Sequence, residues 1–69
     1  MTGLIVTWLD RKKFGFIRPD GSDEEIFLHI SDLPDRESIP VNTRVSFDLG
    51  VYGGRKKAIN VEVAEGMQR

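Results

Sequence analysis

The feature that most limits what this chain can fold into is its division into short runs of β-branched and aromatic residues, separated by turn-forming residues about every 8–12 positions. No stretch of helical length carries apolar residues at a 3.6-residue period. The chain has 69 residues and no cysteine, so neither a disulfide bridge nor a Cys/His zinc site can support its small apolar core. The sequence therefore predicts a single all-β domain over residues 1–69.

Five strands are expected, with turn chemistry between them. They cover residues 4–9, 14–18, 25–30, 44–49 and 55–63. Pro19-Asp20-Gly21-Ser22-Asp23 predicts a turn because proline presets φ and glycine supplies a positive φ, and Gly50-Val51-Tyr52-Gly53-Gly54 predicts another. Residues 31–42 are expected to form a loop or crossover with one helical turn at Asp32-Leu33, and residues 64–69 a frayed C-terminal end.

Alternation in the last two strands predicts which of their side chains are buried. Two sets are expected in the core: Val45, Phe47 and Leu49 from the fourth strand, and Ile59, Val61 and Val63 from the fifth. Five short strands leave exposed edges unless they close on themselves. A five-stranded barrel of OB type is therefore the most economical architecture.

The second and third strands place aromatic side chains on the face that a soluble protein normally gives to water. Their alternate positions are aliphatic or glycine and suit the core, which leaves these residues outside: Phe14, Phe16, Arg18, Phe27 and His29. Each phenylalanine taken singly is as well explained by the core, but the set beside cations favours a binding face. Such a face suits single-stranded nucleic acid, because every base has a π-face that can stack. Trp8 stays open, since alternation places it beside Val6 and a bulge could re-aim it.

The charge distribution is polarised although the net charge is only −1. Basic residues are concentrated in the first third of the chain and in Arg55-Lys56-Lys57, and the segment between them is acidic. If the two basic segments meet in space, the molecule has a cationic face. We expect these side chains to attract the phosphate backbone: Lys12, Lys13, Arg18, Lys56 and Lys57.

Several motifs resemble those of the cold shock proteins. Lys13-Phe14-Gly15-Phe16-Ile17 is similar to the family's first RNA-binding motif, Lys-Gly-Phe-Gly-Phe-Ile, and Ile26-Phe27-Leu28-His29-Ile30 to the second, Val-Phe-Val-His-Phe. Val6-Thr7-Trp8-Leu9-Asp10 resembles the first strand, and Ala58-Ile59-Asn60-Val61 falls in the family's order. The resemblance runs from about residue 3 to residue 63. It implies a five-stranded antiparallel Greek-key OB-fold barrel that binds single-stranded RNA and DNA as an RNA chaperone or antiterminator.

The resemblance also implies site residues and shows departures from the family pattern. The positions that contact bases in the family correspond here to Trp8, Phe14, Phe16, Phe27 and His29. Leu9 and Ile30 replace aromatic residues, Thr7 replaces a frequent lysine, and the connection from Trp8 to Phe14 is one residue shorter. We therefore expect a shorter stacking surface and weaker binding than in an aromatic-rich member.

The alternative hypothesis is an OB-fold protein-interaction or accessory module with weakened nucleic-acid binding, part of a larger chain, whose acidic segment serves a basic partner. An enzyme is the weakest interpretation, because no nucleophile with a neighbouring base, no evident carboxylate pair and no phosphate-binding loop is visible. We expect no cofactor, no metal and no small-molecule substrate. The chain has no apolar run long enough for a membrane span and no signal-peptide pattern, and with no cysteine we expect a cytoplasmic protein. A closed barrel leaves no free strand edge, which predicts a monomer.

Overall fold

The computed structural model describes residues 1–34 and 37–64, and this part of the chain contains five strands and one short 3-10 helix. The strands are β1 (Thr2–Leu9), β2 (Phe14–Pro19), β3 (Ile26–His29), β4 (Arg44–Tyr52) and β5 (Arg55–Val63), and the 3-10 helix covers Ile30–Asp32. The single helical turn expected at Asp32-Leu33 thus begins two residues earlier. Residues 65–69 of the expected frayed end lie outside the described residues.

The strands close into a barrel in the order β1-β2-β3-β5-β4. Strand β1 pairs antiparallel with β2 and with β4, β2 with β3, and β4 with β5. The remaining contact, between β3 and β5, is parallel and consists of the pair Phe27 and Lys57. The expected five-stranded barrel is confirmed, and its antiparallel pairing gives way to a parallel pair only where β5 returns beside β3.

Aliphatic side chains fill most of the barrel interior. The buried set comprises Ile5, Ile17, Ile26, Leu28, Val45, Phe47, Ala58 and Val61, joined by Leu33 and Ile39 from the segment between β3 and β4. Burying each large side chain of this kind contributes about 1.5–3 kcal/mol relative to leaving it exposed. Because the interior is filled from the aliphatic positions of β2 and β3, the alternate aromatic positions of these strands face outward.

Alternation predicts the β4 and β5 core only in part. Leu49 is 42% exposed and Val63 is 49% exposed, although both were expected in the core. Val63 lies opposite the buried Val45 at the end of the ladder, and Leu49 lies opposite the buried Ala58 within it. A position opposite a buried residue is therefore not sufficient for burial in so short a barrel.

A bulge in β5 explains why Ile59, which is also expected in the core, is only half-buried. The register against β4 shifts between Ser46 and Asp48, so that β5 carries one extra residue there. Asn60 adopts a φ of 52° at this point, and its Nδ2 donates a hydrogen bond to Asp48 Oδ2 at 3.2 Å. The extra residue reverses the alternation, so Ala58 occupies the core and Ile59 is only half-buried.

Candidate nucleic-acid interface

Three phenylalanines and a histidine form one continuous outer surface on β2 and β3, which we call the aromatic face (Phe14, Phe16, Phe27 and His29). The strand register places Phe16 opposite Phe27 and Phe14 opposite His29. Ring centroids lie 5.4 Å apart for Phe14 and Phe27 and 6.1 Å apart for Phe16 and Phe27. All four side chains are half-buried. The rings thus support one another while keeping surface available to a ligand.

The tilted and edge-on ring arrangement explains how the aromatic face stays ordered without being buried. Phe14 and Phe16 meet at 86° with centroids 6.1 Å apart, and Phe27 and His29 are tilted by 34° at 6.4 Å. Such aromatic pairs contribute about 0.5–1.5 kcal/mol beyond the area they bury. The surface is therefore preorganised, which reduces the ordering cost of binding.

His29 is held by its own backbone turn. Its Nδ1 accepts a hydrogen bond from the Ser31 backbone N–H at 3.1 Å and lies 3.0 Å from Ser31 Oγ. Because Nδ1 accepts, the neutral imidazole carries its proton on Nε2. That N–H is a donor suited to the edge of a base or to a phosphate oxygen.

A basic groove borders the aromatic face on the side of the β4–β5 hairpin. Phe14, Phe16 and Phe27 line it together with Tyr52, Arg55, Lys56 and Lys57, and its volume is about 390 Å³. The β3–β5 contact between Phe27 and Lys57 brings the two sets together. Lys56 and Lys57 were predicted from the sequence, whereas Tyr52 and Arg55 were not assigned to the site. The sequence signal is a tyrosine two glycines before a basic cluster, but the glycines assign Tyr52 to a turn and do not indicate that it lies in the site.

Carboxylates of the acidic segment contact three of the predicted phosphate-binding cations. Lys56 Nζ lies 3.3 Å from Glu24 Oε1, Arg18 Nη2 3.7 Å from Glu25 Oε2, and Lys57 Nζ 2.9 Å from Asp32 Oδ2. The first two pairs are about half exposed, so each contributes about 0–1 kcal/mol and a phosphate can replace its carboxylate. The third pair is only about one-fifth exposed, at 21% and 20%, which makes it a structural contact.

The turn between β1 and β2 carries two further predicted cations, Lys12 and Lys13. Their backbone N–H groups donate to Leu9 O at 3.0 and 2.8 Å, and Lys13 adopts a φ of 63°. Lys13 O accepts from Ile30 N at 2.9 Å, which fixes the turn beside the end of β3. Both side chains are exposed, and neither forms an ion pair with residues 1–34 or 37–64. They are therefore the predicted cations most available to a phosphate.

Trp8 lies apart from the aromatic face. The register between β1 and β2 shifts after Ile5, which makes Val6 an extra residue and places Trp8 opposite Gly15. A Cβ built on Gly15 would come within 2.7 Å of Trp8 Cε3, so the indole lies directly over the glycine. The ring is half-buried against the core. A bulge does redirect Trp8, but toward the Gly15 side of the sheet; its contact with a base stays a prediction.

A carboxylate holds the indole of Trp8 in place. Trp8 Nε1 donates to Asp10 Oδ1 at 2.9 Å, and Ser38 Oγ donates to the same oxygen. These hydrogen bonds, first that of Ser38 and then that of Trp8, together with the positive charge of Lys13, lower the pKa of Asp10 below its usual value. Asp10 therefore remains an ionised acceptor at neutral pH and ties the β1–β2 turn to the segment after β3.

Two further observations apply to residues 1–34 and 37–64. This part of the chain contains no group of three or more histidine, aspartate or glutamate side chains arranged to hold a metal ion. It also contains no helix that is long and apolar enough to cross a membrane.

Comparison with known proteins identifies relatives over most of the chain. The family model of the 'Cold-shock' DNA-binding domain matches residues 1–64. A cold shock protein of Arthrobacter globiformis is 40% identical over 48 residues, which cover 65% of this chain and 72% of that protein. Glycine-rich protein 2 of Nicotiana sylvestris is 34% identical over 67 residues, which cover 93% of this chain but only 31% of that protein.

A solved structure supports the fold independently. The structure described as drosophila Unr CSD456 superposes on 99% of this chain with a TM-score of 0.76 and 24% sequence identity. The match covers 28% of that longer chain. At this level of identity the likeness establishes the shared barrel architecture.

Proposed function

This chain belongs to the 'cold-shock' DNA-binding domain family, a nucleic-acid-binding and non-enzymatic family, and on that premise we propose that it binds single-stranded RNA and DNA through its aromatic face. The observation that carries the proposal is the outward cluster of Phe14, Phe16 and Phe27 beside a basic groove. A stacked base contributes about 1–3 kcal/mol as judged by alanine substitution, so three rings support useful affinity.

The chemistry of the face favours a single strand over a duplex. Bases in a duplex stack on one another and hide their π-faces, whereas unpaired bases can be splayed out onto protein rings. Lys12, Lys13, Arg18 and Lys56 attract the phosphates, which makes binding dependent on salt. The histidine donor on Nε2 and nearby backbone groups add at most a modest base preference, because stacking accepts any base.

The proposed activity has no chemical step. A protein that binds unpaired strands and not paired ones shifts the equilibrium toward the unpaired form by mass action. At sufficient concentration it melts marginal hairpins without ATP, which is the action of an RNA chaperone or antiterminator. We propose that the protein acts as a monomer in the cytoplasm.

The composition of the outer face supports weaker binding than in an aromatic-rich relative. Thr7 lies opposite Phe16 and Leu9 lies opposite Phe14, so β1 adds no ring to the surface formed by β2 and β3. Ile30 packs against the core. The stacking surface on this side thus ends at the phenylalanines.

The protein-interaction alternative has less support. It assumes an acidic segment that is free to bind a basic partner. Asp20, Glu24 and Glu25 instead contact the chain's own Arg44, Lys56 and Arg18. These three acidic residues thus have intramolecular partners, which reduces the charge that they offer to another protein.

The test is fluorescence anisotropy with a labelled thymidine decanucleotide, within the range of about 4–16 nucleotides that one OB fold covers, and with a duplex of the same length. We expect salt-sensitive binding of the single strand and much weaker binding of the duplex. Phe16→Ala should weaken binding about tenfold because it removes one stacking ring, with folding checked by circular dichroism. Val63→Ala, an exposed apolar change at the far end of β5, is the matched control. Equal binding by Phe16→Ala and wild type, or no binding by the wild type, would contradict the proposal.

A further inference from the structure

Tyr52 is a large aromatic side chain that the barrel does not use. It is the last residue of β4 and is 78% exposed. The turn that follows consists of Gly53 and Gly54, both with positive φ, at 61° and 80°. Two such glycines make the tight turn that suits the twist of a hairpin. The chain thus carries an exposed tyrosine at the base of a tight turn, where it contributes little to the core.

The sheet register places Tyr52 across the basic groove from the phenylalanines. Lys57 pairs with Phe27 on one side and with Gly50 on the other, and alternation along β4 puts Gly50 and Tyr52 on the same face. The three atoms nearest to a Cβ at Gly50 would all belong to Ile59. Lys57 and Tyr52 line the groove together with the phenylalanines, so Tyr52 lies on its β4–β5 side.

Lys57 connects the Tyr52 ring to the body of the protein. Its Nζ lies 5.6 Å from the centroid of that ring and 2.9 Å from Asp32 Oδ2. The Asp32 oxygen is itself buried, so the lysine is held there as its counter-charge. A cation over the ring face is attracted by the ring quadrupole. The tyrosine is therefore oriented by a fixed partner although most of its surface is exposed.

From this arrangement we infer that Tyr52 is a second stacking surface for the bound strand. A base enters the groove between the aromatic face and the Tyr52 ring, and Arg55 and Lys56 at its rim neutralise the adjoining phosphates. The inference rests on the proposed function and adds to it that bases stack on both sides of the groove, on the aromatic face and on Tyr52. Tyr52 thus adds a ring on the β4–β5 side of the aromatic face, to which β1 contributes no ring.

The size and lining of the groove fit this ligand. Its volume of about 390 Å³ lies within the range of about 300–1,000 Å³ that small-molecule sites occupy, and a nucleobase is a flat aromatic group of small-molecule size. Three phenylalanines and one tyrosine provide apolar walls, while Arg55 and Lys56 supply positive charge. A nucleotide combines the two chemistries, an aromatic base and an anionic phosphate.

Two substitutions at the same position separate stacking from other roles of the tyrosine. We expect Tyr52→Leu, which keeps apolar bulk and removes the ring, to weaken binding of the labelled thymidine decanucleotide about tenfold. Tyr52→Phe keeps the ring and should bind within about twofold of wild type. Val51→Ala is the matched control, because Val51 is 75% exposed on the neighbouring position of the same strand. Its binding should match that of the wild type.

The dependence of affinity on salt distinguishes a stacking ring from one that only positions Lys57. A ring that stacks on a base releases no counter-ions, so the slope of log Kd against log salt should be the same for Tyr52→Leu and wild type. A smaller slope in Tyr52→Leu would show lost phosphate contacts and overturn the inference.

The outcomes also separate this inference from the proposed function. If wild type binds, Phe16→Ala binds more weakly and Tyr52→Leu matches wild type, the second stacking surface is wrong while the proposed function stands. If wild type does not bind the single strand, the proposed function itself fails. Circular dichroism and thermal unfolding of each variant confirm that only folded protein is compared; a side chain as exposed as Tyr52 can be replaced with little effect on folding.

Discussion

Gly15 lies at a point where strand β1 and an indole ring both approach the backbone of β2. A Cβ at this position would lie 2.2 Å from Thr7 O and 2.7 Å from Trp8 Cε3. The carbonyl belongs to the neighbouring strand and cannot move without disturbing the ladder. We expect Gly15→Ala to lower the free energy of unfolding by about 1–3 kcal/mol, as overpacking typically does, measured by urea denaturation.

Gly50→Ala is the matched control for this substitution. The added Cβ at position 50 would lie 3.2 Å from side-chain atoms of Ile59, which can shift, and its three nearest atoms include no backbone atom. We expect its free energy of unfolding to stay within about 1 kcal/mol of wild type. If Gly15→Ala were as stable as Gly50→Ala, the packing of Trp8 over Gly15 described above would be incorrect.

Strand prediction from alternation succeeds where the pairing is regular and fails at the bulges. The β2 and β3 pattern correctly assigns Ile17 and Leu28 to the core and the phenylalanines to the outside. Val6 and Asn60 each mark a place where one strand carries an extra residue, and alternation reverses beyond them. An extra residue becomes visible only against the partner strand, so the side of the sheet that Trp8 and Ile59 occupy could not be predicted from either strand alone.

The parts of the candidate site that the sequence could not predict depend on barrel closure. The phenylalanines lie on strands joined by one turn, so local patterning suffices to place them together. Tyr52 approaches them only because β5 pairs with β3. The contact between Glu24 and Lys56 joins residues 32 positions apart and likewise depends on that pairing. The sequence shows that the segment between β2 and β3 is acidic and that the start of β5 is basic, but it does not show that the two lie in contact.

The β1–β2 turn stores conformational strain at Lys13. Its φ of 63° lies in the left-handed region, which costs about 1–2 kcal/mol for a residue with a side chain and nothing comparable for glycine. Lys13→Gly should therefore raise the free energy of unfolding by up to about 1 kcal/mol, after allowing for the greater freedom of glycine in the unfolded chain. The same substitution removes an exposed cation, so it should weaken single-strand binding and reduce its salt dependence.

The neighbouring lysine provides the control for both effects. Lys12 is equally exposed, is not among the residues with a positive φ, and precedes Lys13 in the same turn. We expect Lys12→Gly to lower binding and its salt dependence in the same way but to give no gain in stability. Urea denaturation and anisotropy on the same samples measure the two properties. A Lys13→Gly variant less stable than Lys12→Gly would exclude strain in this turn.

The distribution of charge over the molecule explains how a chain with a net charge of −1 can present a basic groove. Carboxylates of the segment between β2 and β3 contact cations at the edge of the site, as in the pairs of Glu24 with Lys56 and Glu25 with Arg18. A phosphate that binds either cation must displace a carboxylate held within the same molecule. We therefore expect the acidic segment to act as an internal competitor that lowers the affinity for single strands.

Removing this competition should strengthen binding. We expect Glu24→Gln combined with Glu25→Gln to lower Kd for the thymidine decanucleotide about threefold to tenfold at low ionic strength, because it frees two cations and removes two like charges near the phosphates. The gain should shrink as salt screens the charges, and the slope of log Kd against log salt should become steeper since more counter-ions are released. Glu62→Gln is the control, because it changes the net charge at an exposed β5 position that forms no ion pair with residues 1–34 or 37–64. If Glu62→Gln strengthened binding as much, per charge removed, as the double variant, net charge alone would account for the effect. The paired carboxylates would then not be competitors for phosphate.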